Sequence, residues 1–453
     1  MAGTYLTRQI SNAGTNRTKA TISLWAKIGN SIGNDQRFFS YENTSVSNNV
    51  TVFKFVGLAG GNMGIQFADQ TGGSNNAKFD GTRALRDPSA WYHFVLKVDT
   101  TQVTNTDRLK IYINGELQTS THGSYTYPSQ DSTLNFGHNS NAYIDIGRWR
   151  GSNNQYFDGS ISHFHYTDGY AYDASEFGET DATTGQWKIK TGPSVTYGTN
   201  GFFILKNGNI ITDSSSNSNN FTLGGGTLTN TEDCPDNVFC TLNPIGHAAP
   251  NFTLIEGNLY SGGADNVWRS IFGTLGAQSG KYYYEMKVIG HNNEHVGIAS
   301  ADQIAHCSDS SGKFTDNSYG AEGYSYTSGG QKANNGSEVS WGNSYTTNDI
   351  IGVAFDLDNS KLYFSKNGTW QESGDPTSGA TGTGAAYTLV ANKIYLPAMA
   401  SYNAASNMAF NFGNGFFRTT AVASAGTNAS GNGIFEYDVP TGYTALTTKG
   451  LNL

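Results

Sequence analysis

Residues 348–370 read NDIIGVAFDLDNSKLYFSKNGTW, and two strands with two turns follow from that order. Ile350 to Leu357 is apolar and rich in β-branched residues, Asp358-Asn359-Ser360 supplies turn chemistry, and Leu362-Tyr363-Phe364 resumes the strand pattern. Asn367-Gly368 then offers the pair of positive-φ residues that a two-residue hairpin loop demands. Upstream lies YSYTSGGQKANNGSEVSWGNSYTTND (324–349), and downstream YLPAMASYNAASNMAFNFG (395–413). Both alternate short aromatic or β-branched runs with Gly, Asn and Ser turns, as expected for β-sandwich sequences.

The same texture runs through all 453 residues: 56 are Gly, aromatics reach 13%, and charged residues only 14%. Abundant Tyr and Phe provide enough apolar surface to offset the ordering entropy, so the chain is not a disordered polymer. A net charge of −9 argues against nucleic-acid binding, which needs a basic footprint. No run of eighteen apolar residues is present for a membrane-spanning helix, and MAGTYLTRQISNAG lacks the apolar core of a secretory signal. Cys234, Cys240 and Cys307 make no disulfide framework.

Taken in order, TKATISLWAK (18–27), RFFSY (37–41), VTVFKFVG (50–57) and GIQFAD (64–69) read as strands. DPSAWYHFVLKVDTT (87–101) pairs with LKIYINGELQ (109–118) across Asn114-Gly115, a second strong hairpin signal. AYIDIGRW (142–149) and DGSISHFHYTDGYAYDASEF (158–177) complete the set. A polar stretch, NGNIITDSSSNSNNFTLGGGTLTNTEDCPDN (207–237), marks the natural boundary, either as a mobile linker or as an ordered loop on the first sandwich with FFIL and FTL as apolar anchors. The expected architecture is all-β: two tandem jelly-roll-type β-sandwiches, residues 1–195 and 238–453, joined by a polar connector over 196–237.

Resemblances sharpen this. SGKYYYEMKV (279–288), HVGIASAD (295–302) and the stretches around 348–370 stand in the order of a SPRY domain, which implies a bent β-sandwich that binds partners through loops at one edge. Trp91-Tyr92-His93 and Ile113-Asn114-Gly115 carry a resemblance of residues 5–178 to laminin-G-like domains of the concanavalin A-like class. The opening YLTRQISNAGTNRTKATISLWAK, the segments FGETDATTGQWKIKTG (177–192) and YGTNGFFILK (197–206), CTLNP (240–244) and the ending FEYDVPTGYTALTTKGLNL (435–453) resemble a family of bacteriophage virion proteins, many marine. That resemblance implies a virion component, tail appendage or surface decoration, made in the bacterial cytoplasm. It would dock on other virion proteins and meet a host-surface glycan or protein. Repeated weak sites would gain avidity in a homo-oligomer, expected as a trimer.

No catalytic constellation emerges. The nearest carboxylate pair, Asp356 and Asp358, shares a strand face but sits where turn chemistry is needed. His163 and His165 share a face among aromatic neighbours and have no third metal ligand nearby. Laminin-G-like domains often bind calcium, which makes Asp145, Asp158 and Asp168 candidate ligands. Binding is the expectation instead. Trp149, Arg150, Asn153, Asn154 and Tyr156 crowd one loop, WRGSNNQYFDG, where aromatic faces and amides suit a sugar. Strict alternation places Ile144, Ile146 and Arg148 on one face and Tyr143, Asp145, Gly147 and Trp149 on the other. In the second half Tyr324, Tyr326, Trp341 and Tyr345 flank the loop GGQKANNGSE and form a second candidate patch. The different-class alternatives are a glycan-active hydrolase on the same scaffold and an intracellular SPRY-type peptide-binding adaptor.

Overall fold

The computed structural model describes residues 3–29, 34–46, 48–59, 62–137, 141–244, 253–262, 266–307 and 312–452. The chain divides into two compact units, Met1–Asn230 and Thr231–Leu453, and the architecture is all-β.

The first unit is a sandwich of two sheets. One has eight strands in the order Gly123–Thr126, Ser74–Gly81, Asn62–Thr71, Val50–Leu58, Gln36–Asn43, Ala142–Ile146, Tyr5–Ile10 and Thr222–Gly225. The other has six: Phe202–Ile204, Gly159–Asp168, Lys19–Ile28, Trp91–Asp99, Leu109–Ile113 and Glu116–Leu117. Alternation sends Ile22, Leu24 and Ala26 inward to meet Phe53, Phe55, Ile65 and Phe67 from the facing sheet. Asn114 and Gly115 adopt φ of 50° and 77°, the mirror-image turn their sequence demanded. The Asn114 side-chain carbonyl then accepts from the His93 backbone N–H at 2.8 Å.

Several residues on the outer side of the six-stranded sheet are buried as well, because the chain after residue 168 folds back over it. The hairpin of Gly178–Thr180 and Trp187–Ile189 lays Trp187 beside His93, and the indole N–H donates to His93 Nδ1 at 3.0 Å. The ring proton of His93 therefore sits on Nε2, 2.8 Å from Ser23 Oγ. Trp25 stacks on the other side of the imidazole, with centroids 4.8 Å apart. Burial holds His93 down to about 3, so it is a neutral packing residue.

The segment 196–230, read from sequence as connector, is part of the first sandwich. Phe202–Ile204 pairs with the Gly159–Asp168 strand, and Thr222–Gly225 pairs with Tyr5–Ile10. Phe202, Ile204, Leu205 and Phe221 join the core. The physical reason is that the eight-stranded sheet and the sandwich interior both need covering at the Tyr5–Ile10 edge, and this segment brings the apolar side chains that do so.

The second unit is a second sandwich. Its larger sheet runs Thr253–Ile255, Tyr260–Gly262, Asn407–Asn411, Lys281–Gly290, Ile350–Asp356, Lys361–Lys366 and Thr369–Trp370. Two short strands flank that path: Tyr387–Thr388 pairs with Lys361–Lys366, and Thr444–Ala445 runs parallel to Lys281–Gly290. The smaller sheet runs Arg269–Phe272, Tyr395–Ser401, Glu294–Ser300, Gly323–Thr327, Gln331–Asn334 and Ser337–Ser340. Residues 348–370 form the two strands and the tight turn expected of them, with Asn367 and Gly368 at φ 49° and 79°. Asp356 and Asp358 serve turns: Asp356 Oδ1 accepts from the Asn359 N–H at 3.0 Å, and Asp358 Oδ1 from the Gly280 N–H at 2.7 Å.

Candidate functional site

The Trp149–Tyr156 loop springs from the end of the Ala142–Ile146 strand, on the outer face of the eight-stranded sheet. Ile144 and Ile146 enter the core, as alternation requires, and Asp145 points outward. Gly147 then adopts φ of 90°, a conformation that side chains disfavour, and the period-two pattern stops there. Arg148 consequently turns to the outer face instead of the inner one assigned by strict alternation. Its Nε donates to Asp145 Oδ2 at 2.8 Å, and its guanidinium lies 3.6 Å over the Tyr5 ring.

The loop closes tightly. Backbone N–H groups of Trp149 and Asn154 donate to each other's carbonyls at 2.8 and 3.3 Å. Arg150 also reaches Asp145, with Nη2 to Oδ1 at 2.7 Å, and its guanidinium stacks 3.9 Å from the Tyr143 ring centre. Glu42 receives the backbone N–H groups of Arg150 and Gly151 at 3.1 and 3.0 Å. Arg37 completes the base: Nε donates to Gln155 Oε1 at 2.9 Å, and the guanidinium sits 4.4 Å over Trp149. Burial is the main influence on both partners of the Arg37–Glu42 pair. It lowers Arg37 to about 10 and raises Glu42.

Above this base the loop presents polar chemistry. Gly151, Ser152, Asn153 and Asn154 are exposed, while Trp149 and Tyr156 are half-buried. Asn153 Oδ1 accepts from Tyr156 Oη at 2.8 Å and from Arg148 Nη1 at 2.9 Å, which fixes both rims of the loop. All five loop residues singled out from the sequence are thus in one place. Arg37, Arg148, Glu42, Tyr5 and Tyr143 were missed, because they come from three other strands and a broken alternation; only Arg148, beside Trp149, carried a local signal.

The second candidate patch dissolves into the core. Tyr324, Tyr326 and Tyr345 are buried, and Trp341 is packed against them. Tyr324 and Tyr326 share one strand face opposite Ile298 and Val296, so alternation carries both inward. Tyr345 Oη donates to the carbonyls of Glu294 and Tyr326 at 3.0 and 3.1 Å, while Tyr326 Oη donates to that of Asn343. Those two hydroxyls are bonded internally and Tyr324 is buried, so these three rings are structural.

The three candidate calcium ligands do not converge. Asp145 is 1% exposed and held by two arginines on the eight-stranded sheet. Asp168 ends a strand of the other sheet, where Oδ2 accepts the N–H groups of Thr15 and Asn200, each at 2.9 Å. Asp158 lies against Gly29. Among the described residues no three His, Cys, Asp or Glu side chains gather as a metal-binding group, and no helix is long and apolar enough to cross a membrane. His163 has φ of 47° at a bulge, and His165 stacks on Phe203 at 3.9 Å, so the pair serves packing.

The family model of the concanavalin A-like lectin/glucanases superfamily matches residues 3–176, and that of the SPRY domain matches residues 281–415. No curated protein matches the chain. Among solved structures, the SPRY domain of human HERC1 is 17% identical, covering 35% of this chain and 91% of its own, with a TM-score of 0.28. A heptameric SAP-like pentraxin from Limulus polyphemus is 14% identical, covering 36% of this chain and 69% of its own, also with a TM-score of 0.28. Residues 3–176 are thus similar to the concanavalin A-like lectin/glucanases superfamily, and residues 281–415 to SPRY domains.

Proposed function

We propose that this protein is a non-catalytic surface component of a bacteriophage virion that contributes to attachment by binding a host-surface glycan through its first unit. The virion context is supported by the likeness of the opening, the 177–206 segments and the ending to phage virion proteins. Docking on other virion proteins and a trimeric state belong to the same reading.

The observation that carries the binding role is the Trp149–Tyr156 loop. It offers exposed amides and two half-buried rings on a base braced by Asp145 and Glu42. A loop whose rings and amides are held before a ligand arrives loses little side-chain freedom on binding. The non-catalytic part is supported by the carboxylate pair singled out from the sequence, Asp356 and Asp358, each of which accepts a backbone N–H.

Trp149→Ala in the full chain tests this. We expect cell or glycan binding to fall at least about tenfold, the scale of losing one stacked ring. The first unit should lose only about 1–2 kcal/mol, since a half-buried ring over Arg37 contributes less than a core tryptophan. Unchanged binding, or a collapse of melting temperature typical of core truncation, would refute the role given to this ring.

A further inference from the structure

Three arginines brace the base of the Trp149 loop, and among the described residues the carboxylates beside them are Asp145, Glu42 and Asp35. Arg148 and Arg150 share Asp145, and Arg37 stands 3.7 Å from Glu42. The neighbouring Lys54 pairs with Asp35, adding no net charge. One positive charge is therefore left over, within a protein whose net charge is −9. Hydrogen-bond donors are in surplus too, because Arg150 Nε is buried without a partner. The Arg150 side chain is 22% exposed, so the cluster touches solvent beside the exposed Ser152, Asn153 and Asn154.

We propose that Arg37, Arg148 and Arg150, beneath the Trp149 loop, form a subsite for the anionic group of an acidic sugar, a uronate carboxylate or a sulfate ester. This rests on the glycan-binding reading and narrows it. A single anion would balance the surplus charge. It would also accept N–H groups in the forked geometry that guanidinium shares with planar or tetrahedral oxyanions. The rings of Trp149 and Tyr156 and the amides of Asn153 and Asn154 are placed to contact the rest of the sugar. The penalty that burial places on the Arg37 charge would be relieved by the same anion.

The competing explanation is a purely structural clamp, in which the arginines only pin the loop to the sheet. The two differ in how binding responds to charge. The test uses the full chain in affinity electrophoresis through polygalacturonate, a sulfated galactan and neutral dextran, with and without Ser152→Asp. Ser152 is exposed, so the substitution sets a carboxylate over the cluster without entering the core. The expected result is retention by polygalacturonate or the sulfated galactan. Ser152→Asp or raised salt should weaken that retention about tenfold at an unchanged melting temperature. Whichever polymer is retained identifies the anionic group. Retention by dextran alone, or by the anionic polymers to the same extent in Ser152→Asp, would overturn the anionic subsite and leave glycan binding standing. Retention by none of the three would remove both.

Discussion

Replacing Glu285 by leucine is expected to lower the stability of the second unit by about 3–5 kcal/mol, among the largest effects a single side chain can have here. Glu285 is fully buried in the middle of the Lys281–Gly290 strand. Its Oε1 accepts from Tyr283 Oη at 3.1 Å and the Tyr437 N–H at 2.9 Å. Its Oε2 accepts from Asn411 Nδ2 at 3.2 Å and the Glu436 N–H at 2.9 Å. Leucine strands all four donors and unpins the chain at 436–437. Asn411 cannot compensate by flipping, because its Oδ1 already accepts the N–H groups of Gly413 and Gly415. A stability loss below about 1 kcal/mol in denaturant titration would contradict this role.

The same carboxyl gives a pH signature with a defined sign. Burial is the dominant influence and pushes it up to about 7, outweighing the four donors, which favour the anion. A carboxyl raised above its unfolded value binds its proton more tightly in the fold. Its contribution is thus fully present below about pH 4.5 and is lost as pH rises through about 7, a span on the order of 3 kcal/mol. Glu285→Gln cannot titrate and should remove that slope. A difference between the two proteins that stays constant from pH 4.5 to 8 would show that Glu285 does not titrate there.

A first unit cut after Val195 is expected not to fold, whereas one ending at Asn230 should melt cooperatively. The cut removes Phe202, Ile204, Leu205 and Phe221 from the core. Their burial is together worth on the order of 10 kcal/mol, comparable to the whole stability of a domain. It also takes the Asn200 carbonyl from Arg8 Nη1 and the Asn200 N–H from Asp168 Oδ2, leaving a half-buried cation and a buried carboxylate short of partners. Calorimetry on both pieces decides it. Equal melting of the shorter piece would make residues 196–230 dispensable.

Much of the fold was legible because its strongest signals are local. The two Asn-Gly pairs marked hairpins at 114–115 and 367–368, and the apolar, β-branched texture of residues 18–27 and 350–357 marked two strands that lie in the cores. What escaped depends on distant parts of the chain. Phe202–Ile204 and Thr222–Gly225 are three and four residues long, too short to show a period, and become strands only through partners more than thirty residues away. Tyr324, Tyr326 and Tyr345 look like binding aromatics until the facing sheet supplies a core for them. The loop residues Trp149 to Tyr156 stood out by composition. Their brace did not, because Gly147 breaks the alternation that placed Arg148, and Arg37, Glu42 and Tyr5 arrive from other strands.

The central claim is a protein that holds a glycan without cleaving it. The most direct measurement incubates the purified full chain with a panel of bacterial surface polysaccharides, then follows retention of protein on each polymer together with polymer length and new reducing ends. The account predicts retention that Trp149→Ala weakens, with polymer length and reducing ends unchanged. Release of reducing ends by the wild-type protein, or no retention on any polymer of the panel, would contradict it.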